Sequence, residues 1–396
     1  MGVVVALSAC GSAERGTLAA GAETLRIQAG DDEIPGLRAI ADQYNKSTGI
    51  KVELIQREIN SQSISDFISQ APMGQAPDIL ISPHDNLGQL VANGVIETVE
   101  MGDKSTDFIP NFLSAIAYEG ANYGVPYAVE CVAVVRNDDV TRENPENFDD
   151  LRSIGRRLMD ERGLQYPFTI SQSPTSGDPY HLYALQTSFG AEVFKRDTEG
   201  QYLPKIAMGG SGGLEFARYL AELGDSGDLR TSMTPEIAKE NFLSGRSAFH
   251  VCGPWDLVDI EAAEMNCTVL PIPPAGPEKS LPFVGVQAFF VNAYGRNPVA
   301  AHDFVTNWVT RPETQLALYE STGRPPASSA AVKEMQDDPW RTRYAEIAES
   351  ALPMPAIPQM GVVWNFWGTT ENSIIEGKGD PEKLWNDMIL NIEGQI

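Results

Sequence analysis

Three places in this 396-residue chain set acidic or large aromatic side chains directly after a stretch that reads as a β-strand: Gly30-Asp31-Asp32, Pro83-His84-Asp85 and Gly253-Pro254-Trp255. Carboxylates accept hydrogen bonds, and an indole placed after a Gly-Pro turn presents a flat apolar face. On composition alone such a tryptophan belongs in the core. Bond-breaking chemistry has less to draw on. No nucleophile elbow, phosphate-cradling loop or zincin pattern occurs. His84, His181, His250 and His302 are scattered, and Cys10, Cys131, Cys252 and Cys267 form no CxxC pair. Neither a metal nor another cofactor is therefore expected. In an oxidising compartment Cys252 and Cys267, close in sequence and both in apolar segments, are the candidate disulfide pair.

The elements that would hold these residues alternate in type. A strand at 25–28 precedes a helix with Leu37, Ile40, Ala41 and Tyr44 on one face, ended by Gly49, and a second strand at 51–55. The apolar run 78–81 suits a central parallel strand, and Leu87, Leu90 and Val91 follow in a helix stopped by Gly94. Thr234-Pro235-Glu236 starts a helix with a hydroxyl cap and a first-turn proline; its apolar residues are Ile237 and Phe242, and Gly245 ends it. A strand at 249–252 follows, then helical patterns around Phe304, Val305 and Trp308 and through 315–319. This alternation predicts α/β architecture with mainly parallel sheets. Ligands of open α/β sheets settle beyond the carboxyl ends of the strands, where the three motifs stand.

Length and charge narrow the class. A chain of 396 residues exceeds what one core organises, so two lobes are expected. With 54 acidic against 29 basic residues, the net charge of -25 repels nucleic acid and anionic lipid. No apolar run is long enough to span a bilayer. Leu7-Ser8-Ala9-Cys10 resembles a bacterial lipobox and precedes a small, polar, Gly-containing stretch. Cys10 is thus the expected lipid attachment point, although four residues of this kind also fit a short buried strand.

Five segments together resemble the solute-binding proteins of ABC importers, and within them the maltose and maltodextrin-binding proteins. They are Thr48-Gly49-Ile50-Lys51-Val52; Ala76-Pro77-Asp78-Ile79-Leu80 with His84-Asp85; Val125-Pro126-Tyr127-Ala128-Val129-Glu130; Gly253-Pro254-Trp255 with Pro282-Phe283-Val284-Gly285-Val286; and Met354-Pro355 through Ile357-Pro358-Gln359-Met360 to Trp364. The resemblance implies an α/β, two-lobed periplasmic-binding-protein fold with three hinge crossings, near 129–131, 284–287 and 337–339. After a signal and tether at 1–22, one lobe would hold 23–129 and 287–336, the other 130–286 and 337–396. It implies a monomer outside the cell membrane, anchored only by lipid, that delivers a neutral maltodextrin-like oligosaccharide to ABC permease subunits without acting on it chemically.

Carried over position by position, the resemblance places Asp31, Asp32, Asp85, Glu130, Asp178 and Tyr180 around the ligand, with Trp255 and Trp364 as stacking platforms. Carboxylates bind the hydroxyl rim of a sugar and flat rings cover its faces. Asp85 as a helix cap, Glu130 as a solvated charge and Tyr180 as core packing are the plainer readings. Several positions depart from the family: Asp32 replaces a lysine, Ser82 an aromatic, Asn86 and Gly368 arginines. His181 stands where an aromatic would follow Tyr180, and Trp367 is a substitute platform. Two alternatives stay open. The acidic set would suit an amino sugar or polyamine, and Glu130 with Asp178 would be the carboxylate pair of a glycosidase.

Overall fold

A computed structural model describes residues 24–198, 200–335 and 338–396. The expected signal and tether at 1–22, with the lipidation site Cys10, lie outside the described residues, as does Asp337 of the third expected crossing. Among the described residues no helix is long and apolar enough to cross a membrane.

The first sheet grows from the strand-helix-strand unit at the start of the described chain. β1 (Thr24–Ala29) buries Leu25 and Ile27; the helix Ile34–Thr48 turns Leu37, Ile40, Ala41 and Tyr44 inward and ends at Gly49, whose φ of 77° suits glycine. β2 (Lys51–Gln56) returns parallel to β1, with Leu25 opposite Val52. β3 (Ile79–Pro83), apolar and buried, lies parallel on the other side of β1. A small hairpin of β4 (Ala117–Tyr118) and β5 (Ala121–Asn122) leads into β6 (Gly124–Glu130).

From Glu130 the chain passes almost at once into β7 (Ala133–Asn137) of a second sheet. β8 (Thr169–Ile170), β11 (Phe249–Cys252) and β12 (Cys267–Leu270) complete it in the order β12-β7-β11-β8, while β9 (Phe194–Arg196) and β10 (Tyr202–Ile206) form a separate ribbon. β13 (Phe283–Val291) then joins the first sheet between β3 and β6, and β14 (Leu352–Pro353) pairs with its beginning. The helix Pro339–Ser350 hydrogen-bonds back to the second sheet, from Trp340 Nε1 to the Cys267 carbonyl and from Tyr344 Oη to the Cys252 carbonyl, each at 2.8 Å.

The expectation of mainly parallel sheets needs correction. β1, β2, β3 and β6 share one direction, as do β8, β11 and β12, but β13 and β7 enter these sets antiparallel. The cause is the chain path: each reversed strand arrives from the other sheet and so runs against its hosts.

The Cys252–Cys267 pairing is also overturned. Cys131, Cys252 and Cys267 are all free and buried. Cys252 faces Ala133 and Cys267 faces Asn137 on opposite sides of β7. That offset separates them by roughly 10 Å across the sheet and 13 Å along it, against a bridging limit of about 7 Å between Cα atoms. The Cys252 Sγ instead sits 3.6 Å from the Tyr344 hydroxyl.

Candidate functional site

An open cavity of about 650 Å³ lies between the two sheets' outer elements. One wall carries Asn60, Ser65, Asp85, Asn86 and Gln89, the other Ile357, Pro358, Met360, Gly361, Trp364 and Asn365. The first wall follows the carboxyl end of β3, where a turn at His84–Asn86 opens the helix Leu87–Ala92. The second is the start of the helix Met360–Ile375, which buries Met360, Val363 and Trp367 and leaves Trp364 half-buried on the cavity side. Backbone from the two walls meets at the floor, where a Cβ on Gly88 would stand 2.1 Å from the Ala356 carbonyl oxygen.

His84 fastens this floor. Its Nδ1 accepts from the Val286 amide at 3.0 Å, so Nε2 carries the proton and donates to the Met354 carbonyl at 3.0 Å. Burial lowers its pKa to about 4, so the ring is neutral at physiological pH.

Of the ten expected ligand-binding residues, Asp85 and Trp364 line the cavity. Burial pushes the Asp85 carboxyl up to about 6, and the Glu130 charge acts in the same direction. Glu130 accepts from Arg324 Nε at 2.6 Å and from Gln287 Nε2 at 3.1 Å. The same guanidinium reaches exposed Asp32 at 3.3 Å, and exposed Asp31 accepts from Gln56 at 2.8 Å. Asp178 caps the helix Pro179–Ser188 through the His181 amide at 3.2 Å, and its other oxygen is 2.7 Å from His181 Nδ1. Burial works to lower the His181 pKa, but the Asp178 charge and contact, helped by Asp256, raise it on balance.

The aromatic residues divide. Trp364 stacks on Trp367, with centroids 5.3 Å apart and planes 20° from parallel. Trp367 is fully buried behind it and packs edge-on to Tyr183, so it supports the platform and is not itself one. Trp255 folds back over Gly253, where a Cβ would stand 2.2 Å from the indole, and packs near Tyr180 and His181 at 6.3 and 6.0 Å. Buried His181 likewise belongs to the packing and the Asp178 pair. The Tyr180 hydroxyl is buried without a hydrogen-bond partner, and burial with the Glu130 charge keeps it protonated. Beneath Trp255, His250, Cys252 and Asp256 converge. Lys239 stands 3.5 Å from the Asp256 carboxylate, which also meets His250 Nε2 at 3.0 Å. This network roots the Trp255 turn.

Arg324 is the residue that sequence reasoning missed. It follows Gly323, which ends the helix Pro312–Thr322, and nothing local marks it as the partner of a carboxylate 194 positions away. Asn60, Gln89 and Asn365 were equally invisible, being polar residues on ordinary helical patterns.

Two α/β lobes flanking a polar cavity with one stacked indole describe a ligand-capturing protein. Residues 39–346 match the family of bacterial extracellular solute-binding proteins, and the chain belongs to that family. Its members bind solutes and are not enzymes. The chain is 24% identical to the maltodextrin-binding protein MdxE of Bacillus subtilis, over its whole length and 95% of the relative's. It is 29% identical to the maltotriose-binding protein of Pyrococcus abyssi, over 81% of this chain and 69% of the relative. The Thermus thermophilus maltotriose binding protein, solved with maltotriose, superposes with a TM-score of 0.80 at 28% identity, covering 94% of this chain and 99% of that one.

Proposed function

We propose that this chain captures a neutral malto-oligosaccharide or a closely related glycan between its lobes and delivers it to an ABC permease. The observation that carries the reading is the state of the cleft's charges. Asp32 and Glu130 share Arg324, and Asp178 meets His181 and a helix N-terminus. Three of the five carboxylates are thereby already engaged by groups within the protein, leaving hydrogen-bonding groups beside a stacked indole, which suits hydroxyls and sugar faces better than an ammonium group. The relatives named for maltodextrin and maltotriose point the same way.

The lobes in this reading are 23–129 with 287–336, and 130–286 with 337–396, turning about the crossings to close on a ligand that touches both walls. Lipidation at Cys10 would hold the protein outside the cell membrane. Calorimetry with maltotriose tests the core of the proposal: Trp364→Ala should weaken binding by about tenfold or more, the loss expected for one stacked aromatic face. Unchanged affinity removes Trp364 from the site. Binding that survives 1 M salt, with a Debye length of about 3 Å, separates a neutral ligand from a cationic one.

A further inference from the structure

The cavity-facing side of the helix Met360–Ile375 does not stay open along its length. Gly361, Trp364 and Asn365 line the cavity, but the next position on the Trp364 side, Gly368, is buried. Four residues along a helix is an advance of about 6 Å. There the segment 173–177 lies directly on the helix backbone. A Cβ on Gly368 would stand 2.0 Å from the Ser176 carbonyl oxygen, and one on Gly177 2.1 Å from the Gly368 carbonyl oxygen. Gly177 also has a φ of 69°, so the contact is closed to any side chain from either partner.

The segment is also fastened. Asn372 Nδ2 donates to the Ser173 carbonyl at 2.7 Å, one turn further along the helix. The Gly177 amide closes the loop onto the same carbonyl at 2.9 Å, and the Ser176 amide bonds Ser173 Oγ at 3.2 Å. Pro174, Thr175 and Ser176 remain exposed, on a loop seated against the helix one turn beyond Trp364. Helical side chains lean toward the N-terminus, which aims the Trp364 indole away from the loop and into the cavity.

We infer that the segment 173–177 is an end wall, so that the groove takes the terminus of a linear glycan and excludes glycans that must continue past Trp364 in that direction. This rests on the glycan-binding reading above and adds a selectivity to it. A ring stacked on Trp364 has its next neighbour on that side replaced by protein backbone. A cyclic glucan, which has no terminus, meets the wall whichever way it is presented.

The test is calorimetry on the full chain with maltotetraose, α-cyclodextrin, and two maltotetraoses carrying a bulky aryl group at either the reducing or the non-reducing end. Maltotetraose should bind, with α-cyclodextrin and one of the two end-blocked glycans weaker by about a hundredfold, as expected where a clash discriminates. Deleting Pro174 and Thr175 should restore much of the lost binding while leaving maltotetraose within a few-fold. Equal binding of α-cyclodextrin and maltotetraose by the unaltered protein, or tolerance of both end groups, overturns the end wall and leaves the binding function standing. Absence of heat with every glycan overturns the functional reading itself.

Discussion

Replacing Asp85 by asparagine removes a carboxyl that the fold handles poorly when ionised. Burial raises its pKa from 3.8 to about 6, with Glu130 adding to the shift. Below pH 3.8 the group is protonated in both folded and unfolded chains and stability is unaffected. As pH rises from 3.8 towards 6 the unfolded chain ionises first, so the fold loses stability over that interval, and above about 6 both forms are ionised and the loss is complete. The difference of roughly two pKa units corresponds to about 3 kcal/mol. Since Asp85 keeps some contact with solvent, about 1–2 kcal/mol is the expected realised effect.

Asp85→Asn should therefore melt about 2–4 °C higher than the parent at pH 8 and almost level with it at pH 3.8. The same substitution should weaken oligosaccharide binding and remove its pH dependence near 6, because the ionised carboxylate is the stronger acceptor for a sugar hydroxyl. Paired thermal melts and calorimetry across pH read both effects. A melting difference that does not change with pH refutes the reasoning, because it would mean that desolvation of the charge is not what strains Asp85.

Glu371 makes a sharper case of the same kind: it is fully buried, and burial together with the Asp178 charge raises its pKa well above the usual carboxyl range, against a smaller opposing contribution from the Trp367 indole. Glu371→Gln should thus stabilise the protein increasingly as pH rises above that range; destabilisation at pH 8 in thermal melts would show that an ionised Glu371 is needed. The thiols supply an independent check on the second sheet, since Cys131, Cys252 and Cys267 should all react with a thiol reagent after unfolding without reductant. Only one reacting would reinstate the disulfide.

The strands and helices of the first lobe were legible because their signals are local. Tyr44 repeats at helical spacing with Leu37 and Ile40, Gly49 stops the helix, and the run ending at Ile81 is too apolar for anything but a central strand. Strand direction was less legible. It depends on where β7 and β13 come from, and chain path between sheets leaves no mark on either segment's residues. The site divides in the same way. Trp364 and Asp85 were identifiable by motif and line the cavity. Trp367 carries the same side chain three positions on, and only the helix's orientation tells a supporting ring from an exposed one. Charge was the largest gap: five carboxylates read as an acidic cleft until Arg324 and His181 stood beside them.

His84 joins the end of β3, the beginning of β13 and the strand-like segment after β14 through one flat, uncharged ring. Those pieces are neighbours in the first sheet, in the order β14-β13-β3. A ring bonded at both nitrogens acts there as a dowel within one sheet: shifting any of the three segments along the others would tear two buried bonds with no water at hand to replace them. The cavity wall that begins at Asp85 therefore starts from a fixed point, and the position of its hydrogen-bonding groups is set by a neutral ring whose bonds do not change with pH in the physiological range.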